Sequence, residues 1–298
     1  MMLDTKQNYV VGILWMVFAG LLFVGVTIIV RHLGSDMPAA EAAFIRYIFG
    51  LIFLIPAIFR FPWRSLNTEK LTLFTLRGLA HGIGVLLWFY AMARIPIAEV
   101  TAIGYTTPIF TAIGAVLIFR EKIYVRRISA IIIGFIGTLI ILRPGFQDIE
   151  TGSIAQLLAA PCFAISYLFT KRLTRTERPT DILVMLSIFC TLVLLPAAIM
   201  QWRDPTMMEL FWLAIAAVFA TAGHYAITKS FACAPLTVTQ PFSFLQLIWA
   251  VIFGYVLFAE KPDIWIMVGG LVIVSAVSYL SHREALIKKP LTNQPPPL

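Results

Sequence analysis

From Tyr9 to Val30 the chain runs 22 residues without a charged side chain. A helix of about 20 apolar residues crosses a bilayer, so this stretch is a candidate span. It is too long for the apolar core of a signal peptide and lacks a suitably placed small-residue cleavage site, so it reads as a retained helix. Comparable stretches recur near Ala39–Phe59, Leu71–Ala93, Ile97–Phe119 and Ile128–Leu142. A second series follows near Ile154–Phe169, Ile182–Met200, Leu210–Thr228, Thr237–Phe258 and Ile264–Ser281. The pattern therefore predicts an all-α integral membrane protein with ten transmembrane helices. The connections are short and leave no room for a soluble domain. Residues 283–298, with Pro295–Pro297, read as a disordered cytoplasmic tail.

Composition agrees with this pattern. The 298 residues are 60% hydrophobic and 13% charged, against about 45–50% and about 25% in soluble domains. A soluble chain of this length could not hide that much apolar surface. Cys162, Cys190 and Cys233 lie in apolar runs without CxxC spacing, which excludes a zinc or redox pair by pattern. The net charge of +8 invites a polyanion partner until the basic residues are placed. Sixteen of the 23 Lys and Arg fall on loops sharing a side with the termini and five on the opposite loops, while Arg46 and Arg77 lie within spans. Basic residues concentrate on cytoplasmic loops. The charge thus predicts cytoplasmic termini in a plasma (inner) membrane, and leaves no cluster for nucleic acid.

Sliding the chain against itself by 139 residues aligns Ala91–Lys122 with Ser230–Lys261, and seven of the 32 pairs are identical. They include Pro96/Pro235, Glu121/Glu260 and Lys122/Lys261; Trp63 and Trp202 match at the same offset. A repeat of five helices is odd in number, so the second copy enters the membrane inverted. The expected organisation is a first repeat over 1–145, a second over 146–282, and the tail. Inverted repeats meeting near the midplane are a transporter architecture.

The segments Ala91–Val100 (AMARIPIAEV), Tyr105–Phe110 (YTTPIF) and Phe119-Arg120-Glu121, with Ala232–Leu236 (ACAPL), Phe258-Ala259-Glu260 and Gly269-Gly270 in the second copy, resemble the EamA-type branch of the drug/metabolite transporter superfamily. The resemblance covers roughly residues 9–281. It implies a ten-helix inverted-repeat bundle around a central cavity, and a substrate among amino acids, S-adenosylmethionine, riboflavin and other solutes.

No HExxH, GxSxG or phosphate-loop signature is present, so the sequence predicts no enzyme, cofactor or metal site, and no direct use of ATP. Polar residues inside spans are costly in hydrocarbon and therefore informative. Arg77, His81, Gly84 and Trp88 share one helix face at i, i+4, i+7 and i+11. That face suits a wet cavity, although a buried histidine and a snorkelling arginine would leave the same pattern. Arg46 could pair with Glu99 or Glu41 as a gate, meet a substrate carboxylate, or simply snorkel outward. Glu99 is the candidate proton-coupling carboxylate. Helix four carries Thr101, Tyr105 and Pro108; helix nine carries Gln240, Pro241, Ser243, Gln246 and Trp249. Pro108 and Pro241 free backbone carbonyls and allow kinks. Helix eight adds His224 and Tyr225, and helix six Gln156, Ser166 and Tyr167.

The expected function is secondary transport of a small organic metabolite, amino-acid-like or heteroaromatic, by alternating access. His81, Trp88, Tyr105, Tyr225, Gln240, Gln246 and Trp249 would bind it, with Arg46, Arg77, Glu99, Pro108 and Pro241 gating or coupling. Protons and membrane lipid are the other expected partners, and glycines in the fifth and tenth helices leave a homodimer open. The alternatives are a non-transporting membrane enzyme or scaffold, or a flippase for a lipid-like substrate.

Overall fold

A computed structural model describes residues 9–119, 125–143, 148–234, 239–261 and 263–287. The Glu121-Lys122 loop, Pro235 and the tail beyond residue 287 lie outside the described residues. The described chain is helical throughout: α1 (Tyr9–Leu33), α2 (Ala39–Phe53), α3 (Ile55–Phe59), α4 (Thr68–Met92), α5 (Ile97–Gly104), α6 (Thr107–Phe119), α7 (Val125–Leu142), α8 (Thr151–Leu173), α9 (Pro179–Met200), α10 (Met207–Cys233), α11 (Leu245–Phe258) and α12 (Ile264–Ile287). Short 3-10 turns occupy Trp63–Ser65 and Gln240–Phe244.

Helices α1, α4, α8, α9 and α10 are each long and apolar enough to cross a membrane. Three of the remaining expected spans are interrupted. The second is split between α2 and α3 at Leu54, two residues before Pro56. The fourth breaks at Tyr105-Thr106 between α5 and α6, just ahead of Pro108. Proline has no N–H to offer the preceding turn, so the chain closes the break with tighter bonds, Tyr105 N–H to Ala102 O and Thr106 N–H to Ile103 O. The ninth opens with the 3-10 turn containing Pro241 before α11 begins. At the other end, α12 continues past Ser281 to Ile287, into the segment expected to be tail.

Lipid-facing helices bury small side chains and expose large apolar ones. In α1 the inward face holds Gly12, Ala19 and Gly20, while Leu14, Phe18 and Leu21 are exposed. This inverts the soluble pattern, because lipid tails are as apolar as leucine and close backbone approach supplies the attraction. Among the described glycines, the closest approach to another helix's main-chain atoms joins α7 to α12. A Cβ built on Gly137 would lie 2.8 Å from the Gly269 carbonyl oxygen, and one on Gly269 would lie 2.5 Å from that of Gly137.

The most extensive packing pairs α1 with α10 and α4 with α8; α7 packs on α12, and α2 on α9. Further contacts join α4 to α9, α2 to α10, α6 to α8 and α1 to α11. At the start of α10, Thr206 Oγ1 accepts from the Glu209 N–H while the Glu209 carboxylate accepts from the Thr206 N–H, a reciprocal cap. Thr206→Ala removes half of it and should cost about 1 kcal/mol, read as a lowered melting temperature of the purified protein in detergent.

Candidate functional site

The helix breaks matter because they sit beside a cavity of about 150 Å³ in the bundle interior. Its wall is assembled from many elements. Met16, Phe23 and Thr27 come from α1; His81, Val85 and Trp88 from α4; Val100, Thr101 and Gly104 from α5, followed by Tyr105 at the break; and Thr107 and Pro108 from α6. Gln156, Phe163 and Tyr167 come from α8, His224, Ile227 and Phe231 from α10, and Ser243 and Gln246 from the ninth span. Among the described residues, none of those lining the cavity is Asp, Glu, Lys or Arg. The cavity presents aromatic faces, two carboxamides, hydroxyls and two imidazoles.

His81 is 2% exposed, and its Nδ1 lies 3.0 Å from the Ser166 hydroxyl. That bond fixes the ring and leaves Nε2 as a buried atom with no partner among the described residues. The His224 ring stands edge-on to His81 with centroids 4.9 Å apart, and Phe23 packs edge-on against His224 at 5.0 Å. Trp88 meets Phe23 and Phe163 in the same edge-to-face manner. Gly84, one turn beyond His81, lets α8 approach: a Cβ there would lie 3.1 Å from both Cys162 and Phe163. Across the cavity the Tyr105 hydroxyl donates to the Phe244 carbonyl at 3.1 Å, and the two rings pack edge-on. Gln156 is 3% exposed, and its Oε1 likewise lacks a partner among the described residues. Buried polar atoms are normally satisfied, so His81 Nε2 and Gln156 Oε1 stand out as unsatisfied groups on residues of the cavity wall.

Of the residues singled out in the sequence, His81, Trp88, Tyr105, Pro108 and Gln246 line this cavity together. Tyr225 and Trp249 are not part of the lining: Tyr225 packs edge-on against Trp15, and Trp249 is among the exposed large apolar residues. The side chains of Gln240 and Pro241 lie outside the described residues. Arg46 and Arg77 are buried away from the lining. The expected Arg46 pairing with Glu41 or Glu99 is not formed. Glu41 accepts from the Arg203 N–H, and Glu99 accepts from the Ser153 hydroxyl at 2.5 Å. Five residues on a helix turn through about 500°, so Glu41 and Arg46 leave α2 on different faces.

Sequence reasoning missed a cluster at the end of the bundle where α1 stops and α5 starts. Arg31 Nε donates to Glu260 Oε1 at 3.0 Å, while Glu260 Oε2 accepts from the Ile97 N–H at 2.9 Å. Arg31 Nη1 also donates to the Ala93 carbonyl at 3.3 Å. One carboxylate after α11 thus holds α1 and the first turn of α5 together. The Glu-Lys identity at the repeat offset was the signal that could have drawn attention to Glu260.

Comparison with known proteins gives a consistent picture. The model of the EamA-like transporter family matches residues 10–143 and again 150–281. The chain is 29% identical over 288 residues to an S-adenosylmethionine uptake transporter of Rickettsia bellii, covering 96% of this chain and 99% of that protein. It is 30% identical over 287 residues to a riboflavin transporter of Vibrio cholerae, covering 95% and 96%. A solved crystal structure superimposes with a TM-score of 0.63 over 93% of this chain and 98% of the other at 13% identity, a likeness of fold.

Proposed function

Because the chain belongs to the EamA-like transporter family, we propose that it is a secondary active transporter carrying a small metabolite with a planar heteroaromatic part across a bacterial inner membrane by alternating access. The observation that carries this reading is the uncharged, aromatic and amide lining of a cavity set at two helix breaks. Aromatic faces stack on planar rings, and the amides and imidazoles can read ring nitrogens and carbonyls. Relatives named as an S-adenosylmethionine uptake transporter and a riboflavin transporter support that class, since both compounds contain a flat nitrogen heterocycle. His81, Trp88, Tyr105 and Gln246 are the proposed contacts, with Gln156 and His224 added from the lining; Pro108 keeps its proposed role at the break. Glu99, held by Ser153, is the proposed proton-coupling group.

The proposed architecture is ten spans in two inverted repeats, 1–145 and 146–282, with cytoplasmic termini. The packing pattern supports it. A two-fold operation exchanging the repeats converts the contact of α1 with α10 into that of α8 with α4, and α6 with α8 into α11 with α1; all four contacts occur. It also maps α2 onto α9 and α7 onto α12, which pack pairwise.

The Arg31–Glu260–Ile97 cluster is the proposed closed gate on the outer side. Glu260→Gln keeps the size of the side chain and removes its charge. In a background lacking Cys162, Cys190 and Cys233, labelling of Ser243→Cys by an impermeant thiol reagent added outside should rise about ten-fold, the scale of one charge-assisted bond. Unchanged labelling removes the gate assignment.

Purified protein in liposomes tests the function. Saturable flux of riboflavin or S-adenosylmethionine, altered by a proton gradient, is the expected result. No saturable flux with any solute of a metabolite panel would overturn the transporter reading, and competition by lipid headgroups would point to a lipid-like substrate.

A further inference from the structure

Two buried arginines remain without a role in that cavity. Arg46 on α2 and Arg77 on α4 are each 3% exposed, and among the described residues neither forms an ion pair. Arg46 lays its guanidinium 3.5 Å over the ring of Tyr47, leaving Nε and Nη2 without hydrogen-bond partners. Arg77 donates Nη1 to the Ile182 carbonyl at 2.7 Å, and its Nε has no partner. The Tyr47 hydroxyl, 2% exposed, makes no hydrogen bond of good geometry, and the polar groups beside it are the Cys190 thiol and the Arg46 guanidinium. Cys190 on α9 ties these groups into one place. Its Sγ faces the Gly78 carbonyl next to Arg77 at 3.7 Å, and it lies within electrostatic reach of both guanidinium groups.

Three side chains on neighbouring helices therefore present unpaired donors and two positive charges to one interior region, with no carboxylate among the described residues to answer them. A charge buried without a partner destabilises by several kcal/mol. An aromatic face returns about 2 kcal/mol or more in a desolvated setting, but only Arg46 has one at close range, and Arg77 is left with a single carbonyl. A negative ion beside these groups would supply the acceptor they lack, and Arg is suited to carboxylate and similar acceptors. We propose that Arg46, Tyr47 and Arg77 form a binding site for one monovalent anion in the bundle interior, set apart from the uncharged cavity. The two regions adjoin: of the cavity residues, Tyr167 lies within electrostatic reach of Arg77, and His81 and His224 within reach of both arginines. The anion is either a free inorganic ion or a carboxylate carried by the transported solute.

Equilibrium binding of radiolabelled chloride to the purified full chain in lipid nanodiscs tests this without requiring flux, so its outcome is independent of the transport reading. The expected result is saturable binding of about one ion per chain, weakened about ten-fold or more in Arg46→Gln and in Arg77→Gln. Displacement by acetate assigns the site to a solute carboxylate; chloride binding that acetate leaves unchanged assigns it to an inorganic ion. Absence of saturable binding of either anion to natively melting protein overturns the proposal, as does unchanged affinity in both glutamine variants. Should those variants fail to fold, Tyr47→Phe decides: weakened binding supports the site and unchanged affinity overturns it.

Discussion

Replacing His81 with alanine is expected to reduce saturable solute uptake at least about ten-fold while the protein still inserts, purifies and melts cooperatively. Its Nδ1 is held by Ser166 and its Nε2 has no partner among the described residues, so the ring is fixed in orientation with one face of its chemistry reserved. A buried hydrogen bond to a solute is worth about 1–3 kcal/mol when its loss strands a partner, roughly five- to 150-fold in affinity, and the lost ring contacts add to it. Truncation also leaves His224 and Phe163 without the ring they pack against. His81→Gln, which retains a hydrogen-bonding group, should keep part of the uptake. The comparison is made by initial rates in liposomes at matched protein content. Full activity in His81→Ala would remove this residue from the proposed site.

Gly269→Val is expected to destabilise the protein more than any substitution at the cavity, the gate or the α10 cap. The added side chain would meet the Gly137 carbonyl and the Ile141 backbone nitrogen of α7, which are main-chain atoms and cannot rotate aside. Forcing extra atoms into a close-packed contact costs about 1–3 kcal/mol or more, and at this seam the whole α7–α12 contact must open. The neighbouring Gly270→Ala is the control: its nearest obstacle is the flexible end of Leu247 at 3.3 Å. Melting temperature and yield of monodisperse protein should fall sharply for Gly269→Val and little for Gly270→Ala. Equal behaviour of the two variants would mean the seam tolerates separation.

Much of the cavity was legible because helical spacing is a strong constraint. His81 and Trp88, seven residues apart on α4, do reach the same wall. Arg77 shares their stripe but its long side chain turns instead to the Ile182 carbonyl, a choice no spacing rule encodes. Tyr225 adjoins His224, and consecutive helix residues diverge by about 100°; the phenol turns to Trp15, away from the cavity. The imidazole lines it. Phe23 and Phe163 gave no signal, since an aromatic within an apolar helix looks the same whether it faces lipid or cavity. Apolar runs predicted ten spans, but hydropathy is blind to a break of one or two residues. The prolines at 108 and 241 marked where such breaks would fall, yet not how far the turns would extend.

The Tyr105–Phe244 contact carries a further consequence. These residues are 139 apart, which is the repeat offset, and in the proposed two-fold arrangement residues at matching positions can touch only on the axis itself. In that arrangement, a motion that interchanges the roles of the two halves would also exchange the parts played by these two residues. Yet the pair is chemically lopsided: the tyrosine donates to the phenylalanine's carbonyl, and the phenylalanine has no hydroxyl with which to return the bond in the opposite arrangement. The protein would thus carry a built-in resting preference, one end of its cycle lying lower in energy by about the worth of a single hydrogen bond.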